Sequence, residues 1–271
     1  MSEPSSREDF RKPVPLGSTT LRVSRIGFGA SYGAPAEAYE QAFHEHGINF
    51  FYWGSIRRRG MGDAIRRLVT GGQRDRIVVA LQSYDRTGFL MRPFVARGLV
   101  ALGLDCADLL ILGWHDDLPS ARVLDAAQQL VDSGRVRYLA MSGHARKTHG
   151  ALAADPARPI DALMFRYNAA HRGAESEILP FLPEDGRPGT IGYTATRWGQ
   201  LLDARKMPPG EAPLTASDCY RFVLSQPRID LCLAGPASAE HVREACRALA
   251  AGPLDADEVL RVRRIGAFVK R

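Results

Sequence analysis

The chain has 271 residues, 45% of them hydrophobic and 24% charged, a composition that excludes disorder, collagen-like repeats and coiled coil. Its formal charge of +6 would suit an anionic partner, yet no zinc-finger spacing, heptad or RNP-type aromatic run accompanies it, so no nucleic-acid partner is expected. Only four of the 36 basic residues are lysines (Lys12, Lys147, Lys206, Lys270), and none lies between Lys12 and Lys147, which removes any mechanism needing one there.

Residues 1–12 read as a short, flexible polar tail, without the apolar centre of a signal peptide. Residues 13–271 read as one domain, opening on a small hairpin from Val14–Gly17 and Leu21–Ser24. Short apolar runs then alternate with longer amphipathic stretches. The strands predicted are Ile26–Gly29, Asn49–Phe51, Ile77–Leu81, Asp108–Leu112, Tyr138–Ser142, Ala162–Arg166, Thr190–Tyr193 and Leu231–Ala234, each apolar enough to be buried on both faces. Helices are predicted over Ala36–His46, Gly62–Val69, Ala121–Ser133 and Ala239–Ala250, the first between Pro35 and Gly47. Eight strand–helix units without a linker predict an α/β fold of the closed (β/α)8 TIM-barrel type with an N-terminal β-hairpin.

Chemistry in such a barrel gathers at the carboxyl ends of its strands. There the sequence places Tyr32, Tyr52, Trp53, Gln82, Tyr84, Trp114, His115, His144, Asn168, Tyr193 and Arg197, an aromatic rim suited to a flat organic ring. Period-two alternation pairs Gln82 with Tyr84 on one face, and Gly113 with His115. Gly27–Gly33 is spaced G-x-G-x-x-x-G and lacks the acid of a dinucleotide fingerprint, so a Rossmann fold is excluded. His115-Asp116-Asp117 lacks convergent ligands, the four cysteines never form C-x-x-C, and no G-x-S-x-G occurs; no metal, iron–sulfur cluster or serine nucleophile is expected. With no apolar run long enough to span a bilayer, the expectation is a cytoplasmic protein with a small-molecule partner and no membrane, acting as a monomer or small homo-oligomer.

Several stretches resemble the aldo-keto reductase family. These are Val23-Ser24-Arg25-Ile26-Gly27-Phe28-Gly29, His46-Gly47-Ile48-Asn49-Phe50-Phe51, Gly134 through Ser142, Cys219 through Pro227, and Leu233 through Glu240. The similarity runs from about Pro15 to Ala250 and implies a barrel that binds NADPH, or less often NADH, across its rim. The family's catalytic tetrad is absent. The aspartate position holds Tyr52, the tyrosine position Arg57, the lysine position Gln82 and the histidine position Gly113. In typical members a lysine lowers the pKa of the proton-donating tyrosine, as a nearby cation favours phenolate; neutral Gln82 cannot.

Cofactor positions are better kept. By resemblance Ser142 bonds the carboxamide, Tyr193 stacks on nicotinamide and the Gly235–Ser238 turn, with Ala237, receives phosphate at a helix N-terminus. Arg197 joins this set, Arg243 suits a 2′-phosphate, and Glu244 contacts adenine. Gly143, Met164 and Ala245 replace an asparagine, a glutamine and a second asparagine of the family. Three functions follow. One is an NAD(P)H-dependent oxidoreductase of a small carbonyl or cyclic compound, with Tyr52 as proton donor, assisted by His115 or Arg57. A second is a non-redox isomerase, dehydratase or lyase using Tyr52, Tyr84 and His115. The third is an inactive barrel that binds a dinucleotide or metabolite.

Overall fold

A computed structural model describes residues 9–29, 33–54 and 59–270. Tyr32 and Arg57 lie outside them. A hairpin of β1 (Val14–Pro15) and β2 (Arg22–Val23) precedes β3 (Ile26–Gly29), α1 (Ala36–His46), β4 (Phe50–Trp53) and α2 (Arg59–Thr70). Then follow β5 (Val78–Ser83), α3 (Met91–Leu102), β6 (Ala107–Leu112), α4 (Ala121–Asp132), β7 (Val136–Gly143), α5 (Arg146–Ala154) and β8 (Ala162–Arg166). The chain continues through the short α6 (Ala174–Glu177), β9 (Gly189–Tyr193), α7 (Ala216–Leu224), β10 (Leu231–Ala234), α8 (Ala239–Ala251) and α9 (Ala256–Val269).

Strands β3 to β10 close in sequence order into a parallel barrel, as the alternating pattern predicts. Each predicted strand is present, displaced by at most two residues at either end. The boundaries have local causes. Gly47 ends α1 with φ 68°, and its N–H bonds the Phe43 carbonyl at 3.1 Å; glycine enters this left-handed region without a Cβ clash. Asp255 opens α9 with a reciprocal capping box to Glu258, in a part of the chain beyond the family resemblance.

Alternation along the strands sorts their side chains into two cores. Phe51, Val79, Leu81, Leu110, Met141 and Leu163 face the helices. Phe50, Val78, Ala80, Leu109, Ile111, Ala140 and Ile191 fill the barrel, whose lower end is plugged by Leu16, Leu21 and Val23 of the hairpin region. Phe10, in the stretch expected to be tail, is buried, with the Arg25 guanidinium 5.0 Å above its ring. Continuing the inward alternation by one layer brings Tyr52, Gln82, Ser142, Met164 and Tyr193 to the upper mouth.

Candidate functional site

Above these inward residues lies a cleft of about 550 Å³ that runs from Tyr84 and Trp114 on one lip to His241 and Glu244 on the other. Tyr52, Gln82, Tyr84, Ser142, Tyr193, Gly235, Ala237 and Glu244, all named from sequence, line this single space. His115, Gly143, Arg197, Ser238 and Arg243 do not line it among the described residues. No described lining residue is an arginine or lysine.

At the barrel centre Tyr52, Gln82 and Gly113 are closely packed with Tyr84. Tyr84 and Gln82 share a face as expected: the Tyr84 hydroxyl donates to Gln82 Oε1 at 2.7 Å, and Gln82 Nε2 donates to Ser142 Oγ at 3.3 Å. A Cβ on Gly113 would fall 2.6 Å from Gln82 Nε2 and 2.7 Å from the Tyr84 ring. The Tyr84–Gln82 pair therefore occupies the space a side chain at 113 would need. Beside it, burial raises the Tyr52 phenol well above its ordinary pKa, and the neighbouring Tyr84 and Tyr193 push it the same way. Burial likewise pushes Tyr193 up to about 12. Both phenols keep their protons through the neutral range.

His115 departs from its expected place. Trp114 has φ 53°, in the left-handed region, which breaks the period-two pattern after β6. The indole, not the imidazole, consequently faces the cleft. His115 turns into the loop, where Arg86 Nη1 lies 2.8 Å from its Nε2, and burial followed by that cation lowers its pKa. It is unsuited to serve Tyr52. Its backbone explains Gly143 as well, for a Cβ at 143 would lie 2.0 Å from the His115 carbonyl oxygen. A side chain of any kind is sterically excluded at that position. Asp116 caps the next turn, accepting from the His144 and Ala145 N–H groups at 3.2 Å.

Four aromatic rings form one lip. Tyr84 meets Trp114 at 5.6 Å, Trp114 meets His144 at 6.4 Å, and His144 meets Tyr193 at 6.2 Å. The Tyr193 hydroxyl also lies 3.1 Å from His144 Nδ1. Trp53, from the same rim expectation, packs outward into the helix layer, and Asn168 is buried, bonding the Thr194 carbonyl and its own turn. Behind this lip Ser142 is buried and accepts twice, from Gln82 Nε2 and from Trp114 N–H at 3.2 Å. A serine hydroxyl has one donor and two acceptor positions, so its O–H is the unused valence among the described residues.

The other lip follows β9. Thr194, Arg197 and Trp198 all have φ between 52° and 59°; with Trp114 they are the left-handed non-glycine residues among those described. Each costs roughly 1–2 kcal/mol, and such strain concentrates where ligands are held. Thr194 Oγ1 is buried without a partner among the described residues. Arg197 bonds the Val269 carbonyl at the end of α9, so its guanidinium is committed there. Ser238 caps α8 through the His241 N–H at 3.3 Å, and Arg243 is paired with Glu240 at 2.8 Å on the helix surface. Glu244 accepts from the Ala216 N–H at 2.8 Å, anchoring α8 to the start of α7. Thr194, Trp198, Tyr220 and His241 line the cleft without having been singled out. Thr194 and Trp198 follow the end of β9, a signal that a variable loop shares with many residues that point elsewhere, and Tyr220 and His241 lie within α7 and α8, where strand-end position gives no signal.

Among the described residues no group of three histidine, cysteine, aspartate or glutamate side chains is placed to hold a metal, and no helix is long and apolar enough to cross a membrane. The profile of the Aldo/keto reductase family matches residues 33–218. L-galactose dehydrogenase of Arabidopsis thaliana is 30% identical over 220 residues, covering 69% of this chain and 66% of that protein, slightly under two thirds of its length. The fold matches aldo-keto reductase AKR11C1 from Bacillus halodurans in its holo form, with TM-score 0.75 and 21% identity over 94% of this chain and 96% of that one. The apo form matches with TM-score 0.74 and 20% identity over 94% and 95%.

Proposed function

The chain belongs to the aldo-keto reductase family, and we propose that it is an NAD(P)H-dependent oxidoreductase whose proton-transfer site has been rebuilt around Tyr52. The observation that carries this reading is Ser142, whose unused O–H lies at the wall of the cleft that the Tyr193 side chain also lines. That pair fits a carboxamide and the flat ring bearing it. Thr194, with its unpartnered hydroxyl, and the Gly235–Ala237 turn at the N-terminus of α8 extend the same cleft toward a phosphate-binding end. Glu244, fixed by the Ala216 N–H, stands at the far end as the acid for an adenine amino group.

Bound there, a nicotinamide dinucleotide supplies or accepts a hydride. The rest falls to residues of this chain. Tyr52, kept protonated by burial, donates its hydroxyl proton to a carbonyl oxygen in the reductive direction and recovers it in the oxidative one. Tyr84 and Gln82 continue the wall that Ser142 begins, and Trp114 and His144 offer ring faces to a small cyclic or carbonyl substrate. No described lining cation stabilises a phenolate at Tyr52, so proton transfer is slower than in relatives that keep the lysine. This last point also favours a second reading, a dinucleotide-binding barrel without turnover.

Trp114 and Trp198 line the cleft, so quenching of tryptophan fluorescence reports occupancy. NADH or NADPH should bind with Kd below roughly 10 μM. Absence of binding by both refutes the proposal. With binding established, L-galactose, aldehydes and quinones form the first substrate panel, and Tyr52→Phe should lower turnover about 100-fold. Unchanged turnover in that variant removes Tyr52 as donor, and binding without turnover on any carbonyl selects the second reading.

A further inference from the structure

Seven of the large hydrophobic side chains exposed among the described residues lie between positions 84 and 118, so the exposed apolar surface is concentrated rather than scattered. Two of them, Tyr84 and Trp114, belong to the cleft. Most of the others lie on the β5–α3 loop and the outer face of α3. Phe89 is 83% exposed and Val100 82%, with Leu90 and Phe94 between them. Leu90, Phe94 and Arg97 follow at i, i+4 and i+7, one stripe of the helix surface. The buried side of α3 is already satisfied by Met91, Val95, Leu99 and Leu102, so this outer stripe has no role in the core.

The loop is braced, which makes the exposure of Phe89 a fixed presentation. Asp85 turns its carboxylate inward, accepting from the Thr87 and Leu90 N–H groups at 2.8 Å. Arg86 bonds the Trp114 carbonyl at 2.8 Å, and Gly88, with φ 79°, packs so closely that a Cβ would lie 2.7 Å from the Arg122 carbonyl oxygen. The charge on α3 itself is positive. Helix α3 contains no acid, and its exposed Arg92 and Arg97 have no hydrogen-bond or ion-pair partner among the described residues.

We propose that the β5–α3 loop and the outer face of α3 form a docking surface for an anionic lipid bilayer. Phe89, Leu90 and Phe94 enter the interfacial region while Arg92 and Arg97 meet anionic headgroups, the arrangement of a peripheral amphipathic anchor. A second copy of this chain fits less well, because a two-fold contact sets like patches face to face and would oppose these arginines to their own equivalents. The expectation of no membrane partner came from the lack of a spanning segment, which does not bear on a surface of this kind. The inference also stands apart from the redox proposal, since vesicle binding needs no turnover.

Flotation with phosphatidylcholine vesicles containing about 30 mol% phosphatidylserine tests it. The full chain should float with these vesicles, float far less with pure phosphatidylcholine, and be released by salt. F89S/F94S, which leaves the charge unchanged, should weaken the partition by roughly tenfold or more, as should R92E/R97E. These side chains are exposed, so unchanged thermal melting is expected; if one variant fails to fold, the other decides. Three results overturn the proposal: no flotation of the wild-type chain, partition of F89S/F94S within about twofold of wild type, or a solution dimer that F89S/F94S dissociates.

Discussion

Gly143→Ala tests the account of why position 143 carries no side chain. The new methyl carbon would start 2.0 Å from the His115 carbonyl oxygen and 3.0 Å from its carbonyl carbon, against an ordinary contact of 3.4 Å or more. Relief needs a main-chain shift of roughly 1.4 Å. That segment resists, because the His115 N–H is bonded to the Ser142 carbonyl at 2.8 Å and Trp114 N–H to Ser142 Oγ at 3.2 Å. Overpacking of this kind costs about 1–3 kcal/mol, and stretching a buried hydrogen bond adds about 1 kcal/mol, so a loss near 3 kcal/mol is expected. For a chain of this size that is a fall in Tm of roughly 6–12 °C in a thermal melt followed by circular dichroism. Gly29→Ala is the control. Its Cβ would meet nothing closer than the Tyr52 ring at 3.6 Å, so it should melt within about 0.5 kcal/mol of wild type. A Gly143→Ala protein that melts with the control would refute the steric argument.

A histidine placed at position 113 should cost about 1–3 kcal/mol while Tyr84 remains, and part of that cost should vanish in G113H/Y84A, with Gln82 accounting for the rest; equal costs in both backgrounds would show that Tyr84 does not fill the site. His171 is held down to about pKa 4 by burial and by the nearby cations Arg166, Arg197, Lys270 and Arg146. The unfolded chain takes up that proton near pH 6.5 and the folded one only near 4, so stability should fall as pH drops between these values, and urea titrations of H171N should show a shallower fall. Glu240 occupies both Arg243 and Arg247 at 2.8 Å. E240A should release them and raise NADPH affinity relative to NADH by a few-fold, read by paired fluorescence titrations; an unchanged ratio would remove Arg243 as a 2′-phosphate partner.

Much of the site was legible because strand alternation is a local rule. Tyr52, Gln82 and Ser142 each end an apolar run at an inward position, and counting by two from the core residues below them finds the mouth of the barrel. The same rule misplaced His115, because a left-handed residue at Trp114 resets the count and nothing in the local sequence announces it. Arg243 and Arg197 were singled out by residue type and position; the partner of Arg243, Glu240, is its i,i+3 neighbour on the predicted helix, whereas the partner of Arg197, the Val269 carbonyl at the end of α9, is a non-local contact that no local rule reaches.

Taken alone, the sequence determined the barrel, the order of its strands, and the fact that no lysine stands at the end of β5, since these follow from hydrophobic period and from the absence of lysine between Lys12 and Lys147. Only the tertiary structure decided what fills the space beside Gly113 and Gly143. Tyr84 and the His115 backbone come from loops whose paths depend on non-local contacts, and their closeness to Gly113 and Gly143 explains why both positions lack side chains. The physical reason is excluded volume: two atoms distant in sequence cannot share a site, and the competitor becomes visible only once the chain has folded.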